Sequence, residues 1–275
     1  MAGIPSRRRE QIAAYIRDAG GARTEDLAER FDVSPMTIHR DLDALAAEGW
    51  IERTRGGARV GGPRLHERNV NLRMRQQTAQ KRAISRTVLG LLHPGSTVAL
   101  EDSTTTMALL EYLPALRPLT LITNFLPAIV AASVDPDIDI IGLGGQYDPN
   151  LDSFDGPAVI DQLRLLNADA VVMSAAAISG TQVQHPSVET ARRKLAMIES
   201  GETRILAVDA TKFDIRATYR VCALDVFDHI VVDDGIAPED LERLRSLDTT
   251  VHVAEVTPDD IAHHSAATSP VAGRK

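Results

Sequence analysis

Apolar side chains in the first sixty residues recur at helical intervals. Ile12, Ala13, Tyr15 and Ile16 form one stripe, and Gly20 with Gly21 stops it. Thr24 ahead of Glu25 and Asp26 marks a second, short helix whose apolar side is Leu27, Ala28 and Phe31. Ser34 then caps a third helix that carries Pro35 at its first position, where a missing N–H costs nothing. Its buried stripe is Ile38, Leu42, Leu45 and Ala46, and it runs to about Glu48, with Gly49 ending it. Residues 50–53 and 58–60 read as two short strands turned around Gly56 and Gly57.

Residues 61–71 are rich in Gly, Pro and Arg without periodicity, and are assigned as an interdomain linker. Beyond them the texture changes. Short apolar runs at 97–100, 119–123, 138–143, 170–174, 205–209, 230–232 and 251–256 alternate with helical patterns at about 72–92, 105–113, 125–133, 157–166, 187–200 and 238–246. That alternation predicts an α/β domain with a mostly parallel central sheet, whose ligands bind beyond the C-terminal strand ends. The division is therefore residues 1–60, a linker at 61–71, a second domain at 72–257 and a tail at 258–275, expected to be mobile. No internal repeat is found.

Composition narrows the function. With 44% apolar and 25% charged residues in a chain of 275, a real core can be buried, which excludes wholesale disorder and coiled coil. No apolar run is long enough for a membrane span and the first residues lack a signal-peptide pattern, so a cytoplasmic location without membrane contact is expected. A single cysteine, Cys222, excludes an intramolecular disulfide and a Cys-based metal cluster. The net charge of −8 is unevenly spread. Residues 1–70 hold 12 Arg against 11 acidic residues, so the acidic excess lies in the second domain. Basic residues cluster at Arg7, Arg8 and Arg9, and again from Arg53 to Arg68, either as a solvated face or as a site for a polyanion.

Three helices followed by a glycine-turned hairpin form a winged helix-turn-helix, with the third helix sized for a DNA major groove. Ser34, Pro35, Met36, Thr37, His39 and Arg40 lie at or near its N-terminal turn, where base edges would be met. Arg53, Arg55, Gly56 and Gly57 form the wing, which would meet phosphates or the adjacent minor groove. The bland alternative is a small helical interaction module with solvated arginines.

In the second domain four loops place polar residues directly after apolar runs. Asp102, Ser103, Thr104, Thr105 and Thr106 open a helix with hydroxyls and backbone N–H groups suited to a phosphate, or serve only as caps. Thr123 and Asn124 can bond a ligand hydroxyl, Gly144 and Gly145 permit close backbone approach, and Lys212 in the run 209–213 can neutralise a phosphate. Together they suit a small phosphorylated polyol. The glycines at 142–145 lack the third glycine and opening helix of a dinucleotide fingerprint, so no cofactor is expected.

The stretch LAERFDVSPMTIHRDLDALAAEGWIERTRGGA resembles the signature of the DeoR family of bacterial transcriptional regulators, with its T-I-R-R-D-L-like run and R-x-x-G-G-A wing. Here the run is Thr37-Ile38-His39-Arg40-Asp41-Leu42, with His39 where Arg is common. The resemblance continues through Lys81-Arg82-Ala83-Ile84, a D-S-G-T-T-like run with Thr104 in place of Gly, T-N, G-G, Gly156, Gly180 and D-x-x-K-F at 209–213. It implies a sensor domain similar in fold to ribose-5-phosphate isomerase, and no catalysis. It also implies a repressor of a carbohydrate-metabolism operon that binds double-stranded operator DNA as a homo-oligomer and responds to a phosphorylated sugar. The competing possibility is a sugar-phosphate isomerase-like enzyme with a helical appendage, using Asp102, Asp209 and Lys212 as acid/base groups.

Overall fold

The computed structural model describes residues 7–47, 51–60, 73–74, 76–213 and 215–261. The first domain runs α1 (Arg7–Ala19), β1 (Gly21–Arg23), α2 (Thr24–Arg30), α3 (Pro35–Ala47), β2 (Ile51–Thr54) and β3 (Gly57–Val60). Its core is the set that the helical spacing picks out: Ile12, Ala13 and Ile16 meet Leu27 and Ala28, and α3 adds Ile38, Leu42 and Leu45. Ile51 and Ala58 close the core from the wing. Gly56 holds a φ of +89° in the turn, a conformation that disfavours a side chain.

Two features of this domain differ from expectation. Gly21 does not merely end α1; it begins β1, which pairs with β3 to give a three-stranded antiparallel sheet in the order β1-β3-β2. Three residues are too few to show a strand pattern, and the strand exists because β3 templates it. Arg8 and Arg9, read as part of a solvated face or a polyanion site, engage a carboxylate: Arg8 donates from Nε to the buried Asp41 at 2.7 Å, and Arg9 Nε lies 3.7 Å from it. They tie α1 to α3.

The second domain is built on a seven-stranded sheet in the order β15-β14-β12-β9-β4-β5-β6, with parallel pairing throughout. Its strands are β4 (Thr97–Leu100), β5 (Leu119–Thr123), β6 (Ile138–Gly142), β9 (Ala168–Met173), β12 (Gly201–Val208), β14 (His229–Asp233) and β15 (Thr250–Ala254). Each corresponds to one of the seven apolar runs. Alternate residues serve opposite faces: Val98, Leu100, Leu121, Val172, Ile205 and Val231 join one core. Ala99, Ile122 and Val171, together with Leu206 and Ile230, join the cores behind the sheet. Strands covered on both faces read as near-continuous apolar runs.

Helix α4 (Thr78–Leu89) covers the first face through Ala83, Ile84 and Val88. The other face is covered by α7 (Pro157–Leu163), α8 (Val188–Glu199) and α9 (Pro238–Arg245), while α5 (Thr104–Met107) and α6 (Leu126–Ala132) follow β4 and β5. The pattern expected as one helix at 105–113 is a single α-turn continued by two 3₁₀ segments, Ala108–Glu111 and Leu113–Leu116, with Pro114 in the second. Short strands that the sequence pattern missed form two small antiparallel sheets, one of β7 (Gln146–Asp148) with β8 (Ser153–Asp155) and one of β10 (Ala177–Ser179), β11 (Gln182–His185) and β13 (Tyr219–Ala223). Four residues of the expected mobile tail, 258–261, form a helical turn instead. Arg86 of α4 clamps it by donating to Asp260 at 2.6 Å. Residues 262–275, the proposed linker 61–71, and Glu48, Gly49 and Trp50 lie outside the described residues.

Candidate functional site

Two regions gather the polar residues singled out from the sequence. In the first domain Ser34 caps α3: its Oγ accepts the Thr37 N–H at 3.2 Å and lies 2.9 Å from the Thr37 hydroxyl. Ile38, Leu42 and Leu45 point inward, which leaves Met36, His39, Arg40 and Asp43 along the opposite stripe at spacings of three and four. Met36 is 64% exposed on that stripe. Pro35, Arg40, Arg55 and Gly56 are also exposed, while Gly57 is buried where β3 meets β1.

Arg53, expected at a phosphate or in the adjacent minor groove, makes three contacts within the domain. Its Nη2 donates to His39 Nδ1 at 2.8 Å, its Nε lies 3.0 Å from Asp43 Oδ1, and its Nη1 donates to the Gly57 carbonyl at 3.3 Å. The side chain thus bridges wing and α3.

The second region is a cavity of about 650 Å³ at the C-terminal ends of β4, β9 and β12, the middle strands of the sheet. Among the described residues its wall carries five basic side chains, Arg73, Lys81, Arg193, Lys194 and Lys212, against the carboxylates Glu101, Asp102 and Asp209. The short helix α5 contributes Ser103, Thr104 and Thr105, and the Ser103 hydroxyl accepts the Thr106 N–H at 3.1 Å. Thr104 does not adopt positive φ, so this backbone accepts a β-carbon without strain.

Two buried ion pairs set the floor. Arg193 donates to Asp102 at 2.9 Å, with both side chains almost wholly buried, and its other Nη donates to the Phe154 carbonyl at 3.2 Å. Burial pushes the Asp102 carboxyl up, but Arg193 and then Lys194 overcome it and hold the group below the usual carboxylate range. Lys194 pairs with Glu101 and also donates to the Ser174 carbonyl at 2.9 Å. His185 accepts the Ser187 N–H at 3.1 Å; burial, helped by Lys194, pushes its pKa down to about 3, so the ring is neutral.

The opposite wall belongs to α4 and the segment before it. Lys81 is 5% exposed and donates to the carbonyls of Arg73 and, at 2.7 Å, Gln76. Burial pushes its ammonium down to about 7; Asp209 opposes this, while Lys212 and Arg73 add to it. Lys212 lies 3.9 Å from Asp209, and the loop that carries both is held by Asp233, which accepts the Ala210 N–H at 2.7 Å.

Of the ten residues proposed for a ligand, Asp102, Ser103, Thr104, Thr105 and Lys212 line this cavity. The other five do not border it. Thr106 is buried beneath its own turn, bonded to the Glu101 and Ser103 carbonyls. Thr123 accepts the Phe125 N–H at 3.1 Å and Asn124 donates to the Phe154 carbonyl at 2.9 Å, both fully buried. Gly144 exchanges hydrogen bonds with the Gln162 side chain. A β-carbon on Gly145 would lie 2.5 Å from the Asp155 carbonyl and 2.8 Å from Val159, so this glycine is required by close packing against the Asp155 backbone and α7. The sequence reading missed Arg193, Lys194 and His185. In sequence the first two look like solvated charges on an amphipathic helix; their one signal is that both fall on positions that α8 must bury.

Comparison with known proteins matches both domains. Residues 8–63 match the DeoR-like helix-turn-helix domain and residues 76–234 match the DeoR C terminal sensor domain. The uncharacterized HTH-type transcriptional regulator YgbI of Escherichia coli (strain K12) is 32% identical over 240 residues, covering 87% of this chain and 94% of the relative. The lactose phosphotransferase system repressor of Lactococcus lactis subsp. lactis is 28% identical over 251 residues, 88% of this chain and 96% of that one. Ribose 5 phosphate isomerase A from Neisseria gonorrhoeae overlaps 50% of this chain and 53% of its own at 11% identity with a TM-score of 0.36, a distant likeness on which nothing further rests. With most of its length inside the two matched regions, the chain belongs to the DeoR family of DNA-binding transcriptional regulators.

Proposed function

We propose that the chain is a cytoplasmic repressor of a carbohydrate-metabolism operon, and that a phosphorylated sugar in the 650 Å³ cavity alters its grip on operator DNA. The observation that carries this reading is the cavity wall. Arg73, Lys81 and Lys212 stand at the strand ends beside the Ser103, Thr104 and Thr105 hydroxyls, above the Arg193–Asp102 and Lys194–Glu101 pairs, a surface suited to a dianion attached to a polyol. Arg73 and Gln76, next to the segment that joins the two domains, belong to the same wall and are tied to Lys81 through their carbonyls. An anion that competes for Lys81 loosens those ties. The effector then has unequal affinity for two placements of the reading heads, which is the requirement for any allosteric response. A homo-oligomer supplies two heads to one operator.

The enzyme alternative draws no comparable support. Asp102 is held by Arg193, and the Asp209 carboxylate is engaged by Thr211 and lies near Lys212, so the acid/base candidates already have partners. The relatives are named as transcriptional regulators.

The test is capture of genomic DNA by the full chain, followed by operator release against paired sugars with and without phosphate. A phosphorylated member should change operator affinity and its parent should not. Lys212→Ala should keep operator affinity and lose the response. A Lys212→Ala dose response equal to wild type removes this cavity from the mechanism.

A further inference from the structure

Arg53 and His39 carry more than a bridge between wing and α3. A guanidinium is protonated at any working pH and can only donate, so the 2.8 Å bond from Arg53 Nη2 obliges His39 Nδ1 to accept. An imidazole that accepts at Nδ1 is neutral and carries its single proton on Nε2. Asp43, one helical turn beyond His39 on the same stripe, holds the Arg53 Nε side at 3.0 Å, and the Gly57 carbonyl holds Nη1 at 3.3 Å, so the guanidinium is fixed from both elements.

We propose that His39 is a specificity-determining residue of α3, fixed by Arg53 as a neutral Nε2–H donor that selects a base edge bearing an acceptor and rejects cytosine. This rests on the reading of the first domain as a DNA reader. In the major groove guanine offers N7 and O6, adenine N7 and thymine O4, whereas cytosine presents only a donor. One N–H therefore tolerates three bases and excludes the fourth. An Arg at the same place would hold guanine alone, through two bonds. The distinction follows from placing a one-pronged donor where a two-pronged donor would hold guanine, on a stripe where His39 is half-exposed.

The experiment selects a randomised duplex library with the full chain and with His39→Arg, His39→Ala and Arg53→Met. At one position of the wild-type motif cytosine should be disfavoured by roughly 5- to 10-fold, the worth of one hydrogen bond left unmade. His39→Arg should narrow that position to guanine, and His39→Ala should flatten it while the rest of the motif stands. Arg53→Met should relax the same position. Ring ¹⁵N shifts of His39 give a readout independent of these variants' folding, and should report protonation at Nε2 alone. A motif unchanged by both His39 substitutions overturns the proposal and leaves DNA reading intact. So does an Arg53→Met variant that loses affinity equally for all sequences, with a salt slope smaller by about one, because Arg53 would then be a phosphate contact. A protonated Nδ1 also overturns it. Failure of every form to enrich any sequence overturns the DNA reading itself.

Discussion

Lys81→Met should flatten the pH dependence of the second domain's stability. In the unfolded chain Lys81 keeps its proton up to its ordinary value of 10.5, whereas in the folded chain burial releases it near 7. Between those values the unfolded state binds more protons, so stability must rise with pH. The slope approaches 1.4 kcal/mol per pH unit, which integrates to about 2 kcal/mol between pH 7 and pH 9. Readings stop near pH 9 because Cys222 works in the opposite sense above its ordinary value of 9.0, burial having pushed its thiol up to about 12. Methionine keeps the length and apolar stem but cannot titrate, though it leaves the Arg73 and Gln76 carbonyls without their donor. Urea denaturation followed by far-UV circular dichroism, at several pH values across that window, measures the difference. Wild type should gain about 2 kcal/mol and Lys81→Met should stay flat. Parallel curves for the two proteins would refute the buried, proton-releasing Lys81. The same ammonium regains its proton when an anion arrives, so effector affinity should fall as pH rises above about 7.

Arg193→Met should lower unfolding stability by about 3–5 kcal/mol, because Asp102 is left charged and buried without its partner; a loss under about 1 kcal/mol in urea denaturation would deny the pair its structural role. Gly145→Ala should cost roughly 1–3 kcal/mol by overpacking against Asp155 and Val159, without changing effector affinity in calorimetry. Weaker effector binding at unchanged stability would mean that Gly145 does meet the ligand. Arg40→Ala should weaken operator binding by roughly 1–3 kcal/mol if Arg40 reads a base edge, or reduce the salt slope by about one if it meets a phosphate. Unchanged affinity and slope in anisotropy titrations would remove Arg40 from the interface.

Much of the fold could be read from the chain because its local signals agree with its tertiary packing. The seven central strands declare themselves as apolar runs since residues such as Val171 and Val172 are buried on opposite faces. Ser34 and Pro35 mark the start of α3 through cap chemistry that is purely local. What escaped reading depends on partners distant in sequence. Arg8 meets Asp41 across 33 residues, and Arg193 meets Asp102 across 91, so each looks like a solvated charge until the fold brings its carboxylate near. Thr123, Asn124, Gly144 and Gly145 erred the other way. Small polar residues and glycines after a strand serve turns and close packing as readily as ligands, and only the cavity's location separates the two uses.

A DNA-reading first domain governed by an anion in the second is tested most directly by fluorescence-anisotropy titration of the full chain. Its own enriched duplex is titrated with and without each member of a panel of phosphorylated sugars and their unphosphorylated parents. Salt-sensitive, sequence-selective binding, changed by a phosphorylated member and not by its parent, is the predicted result. Binding that ignores sequence in dilute salt, or sequence-selective binding unmoved by every phosphorylated sugar, would contradict it.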